Sequence, residues 1–162
     1  MTMLPYWKRK RKKKEPKTIG LVSTTKKKKP DLVKKLDRVY ALYIRLRDCM
    51  PSGYGRCIAC GRIKPFSELD CGHYFSRTHM ATRWDEDNTH IECRFCNRMS
   101  ADHLIGYRDN LIRKIGAGRY DRLNLMAHST KHWLDVELEA MITHYTEEVR
   151  RLSKEKGIRV NM

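Results

Sequence analysis

Cys57-Ile58-Ala59-Cys60 and Cys93-Arg94-Phe95-Cys96-Asn97 decide how this chain is read, and 32 residues lie between them. Each Cys-x-x-Cys knuckle sets two thiolates on one tight turn, and two such turns complete the tetrahedral sulfur shell that zinc prefers. The competing reading is a disulfide framework, which needs an oxidising compartment. Met1 to Tyr6 run directly into lysines with no signal-peptide pattern, so a reducing compartment and structural zinc are expected. Some thirty residues inside the clamp are too few to build a core alone, so metal binding worth on the order of 10 kcal/mol is expected to decide whether they fold. Cys49 and Cys71 are left over. Cys71 is expected to pack as a small apolar group, with a fifth-ligand role as the alternative.

Working outward, Leu69 to Phe75 suits a short strand with Cys71, His73 and Phe75 on one side and Gly72 and Tyr74 on the other. Ser76 to Asp87 reads as a polar loop, Thr89 to Cys93 as a second strand, and the second knuckle launches a helix from about Phe95 that carries Asn97 on its first turn. Asp31 after Pro30 caps an expected helix with Leu32, Leu36, Val39, Tyr43 and Leu46 at helical spacing, ended by Pro51 and Gly53. Leu104, Leu111, Ile112 and Ile115 mark another helix, stopped at Gly116. Leu134, Leu138, Met141, Tyr145, Val149 and Leu152 mark a long carboxyl-terminal helix ending near Gly157, with Thr130 as the expected cap. That stripe covers the core or, alternatively, forms a homodimer seam. The expected fold class is α+β: a zinc-stapled core at about 54–103 with flanking helices inside a domain over 31–152, a carboxyl-terminal tail over 153–162, and a disordered lysine-rich tail over 1–30.

The net charge of +16 is unevenly spread: residues 1 to 36 carry 14 lysines and arginines against two acids, so +12 of it belongs to the amino-terminal stretch. Lys8 to Lys14 and Lys26 to Lys29 are uninterrupted cations that bury nothing, suited to a polyanion whose counterions they release. After residue 36 the cations become 16 arginines against 5 lysines. Arginine's planar fork contacts phosphate oxygens in pairs, so the change of kind hints at positioned phosphate contacts. No run of 18 uncharged apolar residues exists, and no membrane partner is expected.

Cleaving a phosphodiester requires a water to be deprotonated in line with the leaving oxygen and a cation to meet the charge growing on the phosphate. A neutral histidine suits the first task, and His73 is the candidate general base. Mg²⁺ needs only one or two protein oxygens if water and phosphate complete its shell, and Asn97 offers one. Asn88 holds the loop and hydrogen-bonds the backbone or ring near His73, fixing the tautomer that leaves one ring nitrogen as acceptor. Arg77, Arg83, Arg94 and Arg98 flank this centre as candidate DNA contacts. His90, two residues past Asn88, either joins them or is a buried histidine bonded to the knuckle backbone. Trp84 reads as core, and His79, His103, His128, His132 and His144 have no metal-like spacing.

The order Cys-x-x-Cys, Gly-His, Asn, Cys-x-x-Cys-Asn resembles the HNH or ββα-metal nucleases in the variant where asparagine replaces the last histidine. More closely, the chain resembles the NinG family of phage recombination proteins, also called Rap, through Cys57-Ile58-Ala59-Cys60-Gly61, Asp70-Cys71-Gly72-His73-Tyr74, Arg83-Trp84 with Asn88 and His90, Cys93 to Asn97, and Tyr107-Arg108 followed by Leu111-Ile112 and Ile115-Gly116. The resemblance spans roughly residues 37 to 152. It implies a structure-selective DNA endonuclease that cuts branched recombination intermediates such as Holliday junctions and D-loops with Mg²⁺ or Mn²⁺, in the cytoplasm of the bacterial host. It also implies His73 as general base, Asn88 as its orienter, Asn97 as catalytic-metal ligand and Cys57, Cys60, Cys93 and Cys96 as zinc ligands. Gly72 stands where many HNH nucleases place an acidic ligand. Asp70 is the nearest acid, and alternation points it away from His73 unless a bulge intervenes. The lysine that the family carries three residues after Asn97 is Ser100 here, and its cysteine-containing amino-terminal segment is replaced by the lysine-rich stretch. The alternatives are a non-catalytic zinc-finger DNA-binding protein and an HNH nickase of ordinary duplex.

Overall fold

The computed structural model describes residues 31–162, so the expected disorder of the lysine-rich stretch lies outside the described residues. Helix α1 (Leu32–Asp48) begins where the Asp31 side chain accepts from the Lys34 N–H at 3.1 Å, and Arg45 and Arg47 occupy its last turn, where cations suit the helix dipole. Its buried face, Leu36, Val39, Tyr40, Tyr43, Ile44 and Leu46, recurs at helical spacing.

Strands β1 (Tyr54–Arg56) and β2 (Ile63–Pro65) form a small antiparallel hairpin whose loop is the first cysteine knuckle, followed by a single 3-10 turn over Phe66–Glu68. The sequence did not announce this hairpin, because three-residue strands show no alternation to read. Gly55 is needed in it: a Cβ there would lie 2.4 Å from Ile91 Cδ1.

Strands β3 (Leu69–His73) and β4 (Thr89–Cys93) pair antiparallel as a separate two-stranded sheet, in unbroken register from Leu69 opposite Cys93 to His73 opposite Thr89. Both match the expected strands, apart from Tyr74 and Phe75, which lie beyond β3. Helix α2 (Arg94–Met99) follows at once, then α3 (His103–Ile115), α4 (Ala117–Ala127) and α5 (Asp135–Lys156). Helix α4 had no expectation behind it.

The sheet has two dressed faces. Cys71 joins α1 and α5 in the main apolar cluster, while Leu69 and Ile91 bury Cys49 beside it. On the other face, Tyr107 of α3 is fully buried and its hydroxyl accepts from the His90 N–H of β4 at 3.0 Å and lies 3.3 Å from the Gly72 carbonyl of β3, pinning α3 to both strands. The carboxyl-terminal stripe packs on α1 of the same chain, with Tyr40 and Tyr145 rings edge to face at 4.8 Å, so it covers the core as the first of the two readings expected.

Two boundaries are corrected. Thr130 does not cap α5: the helix starts five residues later, where the Leu134 N–H donates to the Glu137 carboxylate at 2.7 Å, a self-contained cap that needs no hydroxyl upstream. Nor does a tail begin at 153, since α5 continues to Lys156 and Ile158 and Val160 pack against the main cluster. Lys156 Nζ also donates to the Leu46 and Cys49 carbonyls, at 2.7 and 2.6 Å, closing the end of α1.

Candidate metal centre and phosphate site

The first knuckle and the β4–α2 junction bring the Sγ atoms of Cys57, Cys60, Cys93 and Cys96 within 4.8 Å of one another. Cys60 and Cys93 are 3.9 Å apart, close to the sulfur–sulfur edge of about 3.8 Å that a tetrahedron of 2.3 Å zinc–sulfur bonds requires. Burial opposes ionisation of Cys60, yet hydrogen bonds from the Arg62 backbone and side chain and from Cys57 and Cys96 outweigh it and draw that thiol down to about 6, while burial pushes Cys57 up to about 11, so the cluster shares its ionisation unequally. The donor set fits zinc. Cys71 takes no part: fully buried against α1, its thiol is pushed up by burial to about 12, the behaviour of an apolar group. Cys49 is likewise buried beside Leu69 and Ile91.

Asn97 follows the last cysteine directly, so the sulfur cluster sets its position on α2. Its Nδ2 donates to Asp70 Oδ2 at 3.2 Å. Arg98 grips the same carboxylate with both limbs, at 2.7 and 2.9 Å. Burial works against the charge on Asp70, but Arg98 and Asn97 overcome it and hold the carboxyl below its usual range. No bulge turns Asp70 toward His73, because the β3–β4 register is continuous. The two side chains leave opposite faces of β3, about 10 Å apart along the strand at 3.3 Å per residue.

His73 faces α1. Its Nε2–H donates to the Arg83 carbonyl at 3.1 Å, which leaves Nδ1 as the basic nitrogen. Burial and the neighbouring Arg77 push its pKa down to about 4, so the ring is neutral at pH 7. Among the described residues no hydrogen bond joins His73 to Asp70 or Asn97. At the outer edge of β3 a cavity of about 300 Å³ is lined by Ala41 and Arg45 of α1, Asp70 and Cys71 of β3, Arg77, and Asn97 and Arg98 of α2, and His73 is not part of that lining.

Asn88, fully buried, is the knot of the intervening loop. Its Oδ1 accepts from the Phe75 N–H at 2.7 Å, and its Nδ2 donates to the Phe75 and Thr82 carbonyls, each at 2.9 Å. It touches backbone on either side of the ring rather than the ring itself. The atom that orients His73 is the Arg83 carbonyl, one residue past Thr82. Arg83 is fixed in turn by a fork onto Asp37, at 3.0 and 2.5 Å, and by a bond to the Arg77 carbonyl at 3.0 Å. Its guanidinium is therefore committed to the loop, while Arg77, Arg94 and Arg98 stay exposed. Trp84 is core, its indole donating to Asp37 at 2.9 Å.

His90 is not in this cavity. It belongs to β4, the other strand of the ribbon, with Nδ1 near Arg47, Lys114 and Asp48. Sequence reading also missed Asp37, Arg45 and Glu92. Nothing local marks them: Asp37 meets Arg83 and Arg45 meets the Phe66 carbonyl across long stretches of chain, and Glu92 pairs with His103 of the next long helix at 2.8 Å. Glu92 is fully buried beside Gly72, where a Cβ would fall 2.2 Å from Glu92 Oε2; that crowding explains a glycine immediately before His73.

A family model described as Bacteriophage Lambda NinG protein matches residues 6–155. The chain is 32% identical over 124 residues to Protein ninG of Salmonella phage P22, covering 74% of this chain and 57% of that one. It is 30% identical over 129 residues to Protein ninG of Escherichia phage lambda, covering 77% and 59% respectively. The chain thus spans less than two thirds of the length of these relatives. No solved structure matches it significantly.

Proposed function

The chain belongs to the NinG family, and from that membership we propose that it is a metal-dependent endonuclease of the HNH, ββα-metal kind that cuts branched DNA in phage recombination, in the host cytoplasm. The observation that carries the reading is the four-cysteine cluster that sets Asn97 against Asp70 at a cavity lined by Arg45, Arg77 and Arg98, with the neutral imidazole of His73 three residues along the same strand and outside that lining.

In this reading β3, β4 and α2 are the ββα unit. His73 Nδ1 takes the proton of the attacking water, and the Arg83 carbonyl holds the ring in the tautomer that allows it. Asp70 and Asn97 are the protein oxygens for a hard cation. A bound Mg²⁺ or Mn²⁺ supplies the charge that meets the phosphate and leaving oxygen. Arg98, whose side chain is 59% exposed, neutralises Asp70 cheaply and turns to the phosphate when the carboxylate is otherwise engaged. Arg77 and Arg45 close the other side of the cavity, and Arg94 contacts the flanking backbone. Asn88 is a positioning residue, acting through the loop that presents the Arg83 carbonyl.

The test compares cleavage of a four-way junction and a linear duplex at equal salt, with Mg²⁺ or Mn²⁺, by the full chain and by His73→Ala. Wild type should cut the junction preferentially. His73→Ala should lose 10²- to 10⁴-fold in rate, on the order of a general base's contribution, while keeping junction binding and zinc content. Equal cutting of both substrates would leave an HNH nickase of ordinary duplex. A wild-type protein that never nicks any DNA would leave a non-catalytic zinc-finger DNA-binding protein.

A further inference from the structure

A cavity of about 470 Å³ lies against the β4 edge, opposite the candidate cleavage site, and shares no lining residue with it. Arg56 of β1 and Arg113 and Lys114 of α3 bring three cations to its wall; Asp48 is the acid among its lining residues. That acid is already neutralised, by Arg47 and by Lys114 at 3.5 Å, which leaves Arg56 and Arg113 as the wall's cations without a carboxylate partner among the described residues. Arg47 meets both its oxygens, at 2.8 and 3.1 Å, and the Ile91 N–H donates to it at 3.2 Å. The cavity therefore presents excess positive charge.

His90 supplies the second observation. Its Nδ1 lies 2.9 Å from both Lys114 Nζ and Arg47 Nη2 and 3.3 Å from Asp48 Oδ2. His90 is 3% exposed, and Nε2 has no partner. The His90 ring lines the cavity beside Lys114 and Asp48, and an anion drawn to the cations there would lie against it. Arg56 spends one donor on the Gly61 carbonyl and Arg113 two on Asn110 and the Asp109 carbonyl, so each guanidinium keeps free N–H groups.

We propose that the β4-edge cavity is a metal-independent phosphate site that takes a backbone phosphodiester of a second DNA segment, while the β3 edge takes the strand to be cut. A ribbon with one phosphate site on each edge engages two backbones at once, which a branched substrate offers at its branch point. The proposal rests on the DNA reading above but not on cleavage.

Binding is measured without divalent cation, so that a protein unable to cut still passes or fails on its own. The full chain is compared with the Arg56→Ala/Arg113→Ala variant, both positions being exposed. Losing two phosphate contacts should make the log–log salt dependence of junction binding shallower by about 2. The junction-to-duplex affinity ratio should fall. Inorganic phosphate alone should shift the His90 ring resonances saturably in the wild type and not in the variant. An unchanged salt slope, or absence of any saturable phosphate shift in the wild type, overturns the site. Equal weakening on junction and linear duplex overturns its assignment to a second segment.

Discussion

His73 illustrates what burial does to one residue. The same desolvation that makes it neutral at pH 7 also makes it a liability in acid, because an imidazole held at about 4 in the folded state titrates near 6.5 when unfolded. Between those values the unfolded chain carries more protons, so stability falls as pH drops from about 6.5 toward 4 and levels off below. The full effect is on the order of 3 kcal/mol. Urea midpoints at pH 7 and pH 4.5 should therefore separate more for the wild type than for His73→Asn; equal separations would show that this ring is not the buried base. Asp70 needed no such burial. Its meeting with Asn97 depends only on which way one strand position faces and on where the last cysteine puts α2.

At the scale of elements, the loop between β3 and β4 does the positioning, and Asn88 holds it. Asn88→Ala strands the Phe75 N–H and two carbonyls that it now satisfies, a cost of about 2–5 kcal/mol in urea unfolding. The distinguishing readout is local: amide exchange across residues 75–83 should rise by more than the global loss explains, and kcat should drop because the Arg83 carbonyl no longer fixes the ring. Unaltered exchange there would remove Asn88 from this role. Elements with a periodic buried face, α1, α5 and the β3–β4 pair, were legible in the sequence; α3 lies where expected, but of its expected stripe only Leu111 is buried and Leu104 is exposed. The β1–β2 hairpin was too short to show a period, and α4, separated from α3 only by Gly116, buries just Leu123 and Ala127. The start of α5 was misread because a Glu137 side chain three residues inside the helix does the capping.

For the whole molecule, the apolar clusters are unequal. Thirteen buried residues gather along α1, α5, Cys71 and Trp84, whereas the cysteine cluster has only Ala59 packed against it. The metal centre therefore lacks an apolar core of its own. Under the proposed function, stripping the metal from the four cysteines with a chelator should abolish junction cleavage and raise amide exchange in residues 54–65 and 89–99, while exchange in α1 and α5 rises much less. Uniform loss of protection would mean that one cooperative unit includes both. No helix among the described residues is long and apolar enough to cross a membrane. What the sequence determined by itself is whatever rests on local spacing: four thiols paired on two turns, helices with an apolar period, and a glycine–histidine followed by asparagines in a fixed order. What only the tertiary structure decided is which side chains meet. Pleat alternation sends Asp70 and His73 to opposite faces of one strand, a carbonyl ten residues on fixes the imidazole, and His90 turns toward Asp48 and Lys114, because long-range packing, which no local pattern encodes, places each face of the ribbon.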